Sequence, residues 1–263
     1  MQDLLTTPPS RKQLKEGFLD RFRRDRSASE LNCVAHMILV IEDPEELAAV
    51  ALDHLIENVG VCRVDLGFAQ PRDRDYAPIR VHYNRRTDPP RCDEASYPNQ
   101  AYVFRRAWHG ARPVSCDEVA LHPFLNDCRN DFTSISSKSI LFQRLTYQRR
   151  PVGLMCMDFT RDIHAWSDDE LGGIAAFSQD FLGPLLAVSR MWSAREGGQA
   201  AVRRPSPAEL DAIRLAAQGL SCEEIAEALG KSARTIENQL RNARLSLQAT
   251  NRAELIRKCE LWL

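Results

Sequence analysis

Apolar side chains recur three or four positions apart through the first sixty residues, which is the spacing of a helix. Within a basic segment, the large apolar residues spaced in this way are Leu14, Phe18 and Phe22. A further helix is expected after Asp43-Pro44, because a capping Asp precedes Pro at the first helical position there. We therefore predict that residues 1–27 form a basic amphipathic helix and that more helices follow before a sheet.

The period then changes to two, as expected for strands. The predicted strands are residues 62–68, 79–84, 140–147 and 152–159. The last of them is almost continuously apolar, so we expect it to run centrally in the sheet. A loop at 87–99, a short helix at 100–108 and a capping box from Ser167 complete the order of elements. This order predicts an α+β domain with an antiparallel sheet over residues 28–192.

The last part of the chain shows a third pattern. Small residues, glycines and prolines at 193–205 are typical of a linker. After it come four short helical patterns, each preceded by a side chain suited to capping. The capping residues are Ser206, Ser221, Ser232 and Asn251. Residues 206–263 are therefore predicted to be all-α, and the three residues 230–232 make the connection that a helix-turn-helix requires.

The third of these helices carries polar side chains opposite its apolar face. Such a face offers hydrogen-bond donors and acceptors to base edges and guanidinium groups to phosphates. The whole chain has a net charge of −1, but residues 231–258 hold seven cations and two anions. The predicted DNA-binding residues are Lys231, Ser232, Arg234, Thr235, Glu237, Asn238, Arg241 and Arg244. Periodicity alone fits the solvated face of an ordinary helix equally well.

The residues of this module resemble a known family. The matching segments are Ser206-Pro207-Ala208-Glu209-Leu210, Glu224-Ile225-Ala226, Arg234-Thr235-Ile236-Glu237-Asn238-Gln239-Leu240 and Asn251-Arg252-Ala253-Glu254-Leu255. They closely resemble the LuxR-type helix-turn-helix, which implies a transcriptional regulator that binds double-stranded DNA. The family usually has a basic residue where Glu237 stands and a His where Gln239 stands, so we expect a half-site that differs from the common one.

The resemblance also implies that the last helix pairs two modules. Candidate dimer contacts on it are Leu255, Cys259 and Trp262, and Leu14, Phe18 and Phe22 are further candidates for contact with a partner helix. We therefore expect a homodimer. RNA polymerase is a further expected partner of a transcriptional regulator.

Pro151 to Asp158, followed by Trp166 to Leu171, resembles the end of a GAF domain, in which a final strand leads to a helix behind the sheet. This implies a GAF-like sensor for a small organic effector. Aromatic bodies with polar tips suit such a ligand, and they also suit an ordinary core. The candidate ligand-binding residues are His82, Tyr83, Tyr97, Tyr102, Trp108 and Phe132.

Three alternatives stay open for the N-terminal domain. An acyl-homoserine-lactone sensor resembles this architecture, but the strand region 61–86 lacks the Trp residues of that family. A thiol sensor would use Cys92, Cys116 or Cys128, which lie in or beside predicted loops. A ligand-free dimerisation body is the third. The signatures of a phosphorylated receiver domain and of a cyclic-nucleotide GAF domain are absent.

Other classes of function find no support in the residues. No paired carboxylates, glycine-rich phosphate loop or nucleophile elbow is present, so we expect no enzymatic activity and no cofactor. The eight cysteines form no Cys-x-x-Cys pair, so we expect no metal. No run approaches the ~18 apolar residues of a membrane helix, and the N-terminus lacks a secretory pattern. The sequence thus predicts a cytoplasmic protein without a membrane partner.

Overall fold

The alternating segments of the N-terminal half assemble into one antiparallel sheet, seen here in a computed structural model. The structure describes residues 8–92, 95–110, 112–196, 205–247, 249 and 251–259. The chain divides into two units, Met1–Arg195 and Glu196–Leu263.

Within the described residues, the main sheet has five strands in the order β3-β1-β7-β6-β5, and a separate ribbon pairs β2 with β4. The strands are β1 (Arg63–Gly67), β2 (Asp75–Tyr76), β3 (Arg80–Tyr83), β4 (Tyr97–Pro98), β5 (Val114–Cys116), β6 (Ser139–Tyr147) and β7 (Arg150–Phe159). All pairings are antiparallel. The predicted central position of the last strand is confirmed, since β7 lies between β1 and β6.

Helices cover both faces of this sheet. They are α1 (Arg11–Leu14), α2 (Ala28–Leu39), α3 (Pro44–Val59), α4 (Tyr102–His109), α5 (Arg129–Thr133), α6 (Asp168–Phe177) and α7 (Gly183–Glu196). A π-helical segment, Ser178–Leu182, joins α6 to α7. One core contains residues of α2, α3, α6 and α7, and the other contains residues of the β2–β4 ribbon, α4 and α5. The N-terminal unit is therefore an α+β layered fold, as predicted.

Because both faces are covered, the polar positions of β1 are buried as well as its apolar ones. Arg63 is 3% exposed and Asp65 is 9% exposed. The alternation in β1 thus separates an apolar core from a buried polar cluster, and it marks no solvent-exposed face. Gly67 ends the strand where the ring of Tyr76 crosses it, since a Cβ at this position would lie 2.7 Å from that ring. A side chain at position 67 would push the ribbon away from the sheet.

The N-terminal apolar stripe packs onto its own unit. α1 continues as a π-helical segment, Lys15–Asp20. Leu14 is 2% exposed, and the ring of Phe22 meets that of Phe181 edge to face at 4.9 Å. Phe18 also packs against this core. The prediction that this stripe serves a partner helix is therefore corrected for Leu14 and Phe22, whose contacts are made within the chain.

The C-terminal unit is all-α, as predicted. Its helices are α8 (Pro207–Ala217), α9 (Cys222–Leu229), α10 (Ala233–Ser246) and α11 (Arg252–Cys259). The expected caps are present: the hydroxyls of Ser206 and Ser221 accept from the third residue of their helices, and the Asn251 side chain accepts from the Glu254 N–H at 2.9 Å. Ile213, Ile236 and Leu255 are buried where the four helices meet.

Candidate nucleic-acid interface and effector site

The turn between α9 and α10 is three residues long and well defined. Gly230 ends α9 with a φ of 63°, a conformation that favours glycine. The N–H of Lys231 then donates to the carbonyl of Ala226 at 2.9 Å. Ser232 starts the next helix, because its hydroxyl accepts from the Thr235 N–H at 3.1 Å. These contacts define the ends of the two helices, which also pack against each other through Ile225 and Ile236.

The face of α10 that the turn presents outward is polar. Ile236 and Ala243 are fully buried on the inner side. Of the eight predicted DNA-binding residues, Ser232, Arg234, Glu237, Arg241 and Arg244 are exposed, and Lys231, Thr235 and Asn238 are half-buried. The structure therefore leaves all eight within reach of an external partner, and their contact with DNA stays a prediction.

Gln239 lies on the other side of the same helix. It is 9% exposed, and its Oε1 has no hydrogen-bond partner among the described residues. A side chain in this position cannot contact base edges while the helix keeps its packing. The expectation that Gln239 alters the half-site is therefore corrected, and only Glu237 remains on the face that would read DNA.

The predicted dimer contacts of α11 point into their own domain. Leu255 is 1% exposed and Cys259 is fully buried, in one core with Ile213 and Ala243. Trp262 lies outside the described residues. The assignment of Leu255 and Cys259 to a partner surface is therefore corrected, because their side chains are already covered within the monomer.

The six aromatic candidates for effector binding do not converge. His82 Nδ1 lies 2.6 Å from the Asp53 carboxylate at the surface, and Tyr102 is 41% exposed on α4. Trp108 is buried and donates from its Nε1 to Asn99 at 2.8 Å. The hydroxyl of Tyr83 accepts from the Cys92 N–H at 2.9 Å. These four make separate contacts, and none of them lines the cavity that Tyr97 and Phe132 share.

The other two candidates, Tyr97 and Phe132, line a cavity over the polar face of the sheet. The remaining lining residues are Arg63, Asp65, Ile135, Ile140, Cys156, Met157 and Asp158. The space that the centre of a water molecule can occupy there is about 10 Å³. This is room for about one water, so a small organic molecule does not fit this conformation.

A buried ion pair forms one wall of the cavity. Arg63 Nε donates to the Asp158 carboxylate at 3.0 Å, and a second guanidinium nitrogen donates to its other oxygen. The Ser137 hydroxyl also donates to this carboxylate, while Arg63 donates to the carbonyl of Pro90 at 2.7 Å. Burial lowers the pKa of Arg63 and the charge and hydrogen bonds of Asp158 raise it; with smaller contributions from other neighbours the net shift is upward, so the guanidinium keeps its charge. The bidentate geometry offsets the cost of burying two charges.

Asp65 forms the adjacent wall without a cation of its own. Burial raises the pKa of this carboxyl to about 7. Its carboxyl contacts the hydroxyl of Tyr76, which lies 3.1 Å from the carbonyl of Leu154. A hydroxyl has one proton, so both contacts are hydrogen bonds only when Asp65 is protonated and donates to Tyr76. The geometry therefore fits a neutral Asp65.

The C-terminal unit matches a known protein family. Residues 206–259 match the family model described as bacterial regulatory proteins, luxR family. Residues 206–259 form a LuxR-family helix-turn-helix domain. The helix pair α9–α10 and its three-residue turn are the helix-turn-helix of this domain. No curated protein matches the chain.

The N-terminal unit resembles solved GAF domains. The phycoerythrobilin-bound GAF domain of a cyanobacterial phytochrome is 16% identical with a TM-score of 0.51, covering 65% of this chain and 100% of that one. The free methionine-R-sulfoxide reductase of Neisseria meningitidis is 17% identical with a TM-score of 0.47, covering 73% and 99%. The GAF domain/HD domain protein of Geobacter sulfurreducens is 15% identical with a TM-score of 0.47, covering 59% and 96%. The likeness shows a GAF fold in front of the LuxR-family domain.

Sequence reasoning missed the buried cluster of the N-terminal unit. The pair Arg63–Asp158 joins residues far apart in the chain, and local periodicity carries no sign of such a partner. The charged residues within the otherwise apolar β1 and β7 were the available signal, since charges enter a two-sided core only with partners. Local periodicity also does not predict the buried contact between Asp65 and Tyr76, because Tyr76 lies in a loop-rich stretch.

The three cysteines proposed for a thiol sensor are buried. Burial raises the pKa of Cys92 to about 11 and those of Cys116 and Cys128 to about 12, which disfavours the reactive thiolate.

One helical stretch among the described residues, Asp168–Ser193, is long and apolar enough to cross a membrane, contrary to expectation. Half of its apolar window is buried in the N-terminal unit, and the core helix of a globular domain passes the same test.

Proposed function

We propose that this regulator acts as a homodimer in the cytoplasm and reads double-stranded DNA through the exposed face of α10, laid in the major groove. The observation that carries the proposal is the polar face of α10, held outward by the 230–232 turn within a LuxR-family domain. Arg241 and Arg244 supply donors for bases and phosphates, and Glu237 supplies an acceptor. RNA polymerase is the further partner through which such a regulator would act.

The test replaces Arg241 and Arg244 together with Ala. Specific binding to a duplex selected from a random-sequence library should fall at least about tenfold, because each good base contact contributes about 1–3 kcal/mol. The matched control is Arg214→Ala with Arg257→Ala, which removes two exposed charges from the same domain outside α10. Fluorescence anisotropy gives the affinity and circular dichroism the fold. A folded Arg241→Ala/Arg244→Ala variant with wild-type affinity would reject α10 as the reading helix.

The homodimer follows from the pairing of modules that the resemblance implies. A dimer places two copies of α10 on two half-sites about one helical turn apart, which predicts a partly palindromic site. Among the six residues first named as dimer contacts, Phe18 and Trp262 remain candidates, because Leu14, Phe22, Leu255 and Cys259 are used within the monomer. Sedimentation velocity over a range of concentrations should give a dimer, and a monomer at all of them would exclude it.

A second candidate for the N-terminal unit is a GAF-fold body that works without an organic effector. The water-sized cavity favours it, because ligand pockets for organic molecules usually measure about 300–1,000 Å³. The acyl-homoserine-lactone alternative gains no support from this cavity either. Native mass spectrometry of the full chain purified from cells should give twice the mass of the polypeptide, with no added mass from a bound molecule. A retained small molecule would instead restore the effector hypothesis, with Tyr97 and Phe132 as the side chains that must move.

A further inference from the structure

A strongly basic turn follows the N-terminal π-helical segment. Residues 21–26 contain four arginines and one aspartate. The whole unit 1–195, by contrast, carries 25 Lys and Arg against 27 Asp and Glu. We call Arg21 to Arg24 the arginine turn. It is a concentrated positive patch on a unit whose overall charge is slightly negative.

Among the described residues, the neighbouring cations form ion pairs with carboxylates and the arginines of the turn do not, although the Arg21 guanidinium lies over the ring of Phe22. Arg11 pairs with Glu42, Lys15 with Asp20, and Arg26 with Asp180. The side chains of Arg21, Arg23 and Arg24 are exposed, and none forms an ion pair with a carboxylate of the residues that the structure describes. Three guanidinium groups within four residues are thus left for an external anion.

The turn is also anchored. Between its arginines, the ring of Phe22 packs edge to face on Phe181, and directly after it Arg26 is fixed to Asp180. The backbone that carries the three arginines is therefore part of the folded unit. A preformed patch loses less conformational entropy on binding than a disordered basic tail would.

Two observations favour DNA over a membrane as the anionic partner. Leu14 is buried in the domain, and Phe18, Leu19 and Phe22 pack partly against its core, so the described residues 11–26 present no continuous apolar face for insertion into a bilayer. The LuxR-family domain belongs to the same chain, so DNA bound by that domain would raise the effective concentration of phosphates near the turn.

We propose that Arg21, Arg23 and Arg24 make a second, sequence-independent contact with DNA phosphates, on duplex that extends beyond the site read by α10. The inference rests on the proposed DNA-reading function and adds to it. The contact would contribute affinity and salt dependence without changing base preference, because phosphates carry no direct sequence information.

The experiment compares the full chain with its Arg21→Gln/Arg23→Gln/Arg24→Gln variant on two duplexes. Both duplexes carry the same selected site, one of about 20 base pairs and one of about 60 base pairs with flanking sequence. On the long duplex, the slope of log affinity against log salt should become shallower by up to about 2.7, since each phosphate contact contributes about 0.9. On the short duplex the slope should stay as in the wild type.

The matched control is Arg85→Gln/Arg112→Gln/Arg150→Gln, which removes three exposed positive charges elsewhere on the unit. An unchanged slope in the turn variant, or an equal loss in the control, overturns the proposal. So does loss of binding to phosphatidylserine vesicles with DNA binding intact, which would assign the turn to a membrane. If the wild type itself binds no DNA, the proposed function fails, an outcome distinct from failure of the turn alone.

Discussion

The two units place charged residues on amphipathic elements in opposite ways. In the GAF-fold unit, β1 carries Arg63 and Asp65 on one face, and both are buried and bonded within the chain. In the LuxR-family domain, α10 carries Glu237 and Arg241 on one face, and both are exposed. The same kind of pattern thus builds an internal polar cluster in one unit and an external recognition surface in the other.

The difference shows what a sequence period can reveal. The hydrophobic period of a segment determines which of its residues share a face. The residues that cover that face come from other parts of the chain. For β1 the cover comes from Asp158, 95 positions along the chain, and from the β2–β4 ribbon. For α10, the described side chains of Arg234, Glu237, Arg241 and Arg244 stay exposed, while α9 packs against the opposite side at Ile236.

The largest effect should come from breaking the buried ion pair. Asp158→Ala leaves the Arg63 guanidinium buried without its carboxylate, which should lower the free energy of unfolding by about 3–5 kcal/mol. Urea denaturation followed by tryptophan fluorescence measures it. The double variant Arg63→Met/Asp158→Leu should cost less than the single one, because no uncompensated charge remains. Equal stability of wild type and Asp158→Ala would show that water reaches this face, as it reaches α10.

Asp65 should make the same unit sensitive to pH. Its pKa of about 7 in the fold lies above the value of 3.8 for an exposed Asp, so the folded state binds the extra proton. Stability from this group is therefore fully present below about pH 4 and is lost as pH rises through 7. Between pH 5 and pH 8, we expect the free energy of unfolding of the wild type to fall by on the order of 2 kcal/mol relative to that of Asp65→Asn.

Asn is the matched replacement because it is neutral and its amide N–H donates to the Tyr76 hydroxyl as the protonated carboxyl does. Denaturation curves of both proteins at each pH isolate the contribution of Asp65 from those of other groups. Parallel pH profiles would mean that Asp65 is ionised in the fold and that the cluster holds a second buried carboxylate.

On α10, the exposed Glu237 and the buried Gln239 should differ in their effect on base preference. Glu237→Gln exchanges an acceptor-only side chain for one that also donates, so the preferred base at one position should change, by about 1–2 kcal/mol. Gln239→Leu removes a buried oxygen without a partner and should leave base preference unchanged. Selection from a random duplex library for each variant gives the preferences. A changed preference for Gln239→Leu alone would place the reading face on the opposite side of α10.

Much of the fold was predictable from the sequence, and less of the candidate sites was. The four long strands and the caps at Asp43, Ser167 and Ser221 follow local rules of periodicity and hydrogen bonding. The β2–β4 ribbon escaped prediction because each strand has two residues and no period. Leu255 and Cys259 were assigned to a partner because an apolar stripe looks the same whether its cover comes from the same chain or another. Only tertiary packing distinguishes the two.

The smallest effect should arise at the start of α10. Ser232→Ala removes the hydroxyl that accepts from the Thr235 N–H, which should cost about 1 kcal/mol and lower the Tm of the C-terminal transition by about 4–8 °C. Ser232→Thr keeps the cap and should keep the Tm. Because Ser232 is exposed beside the reading face, DNA affinity is measured for both variants. If Ala lowers affinity while Tm stays constant, the hydroxyl contacts DNA, and the 230–232 turn belongs to the external surface as fully as α10 does.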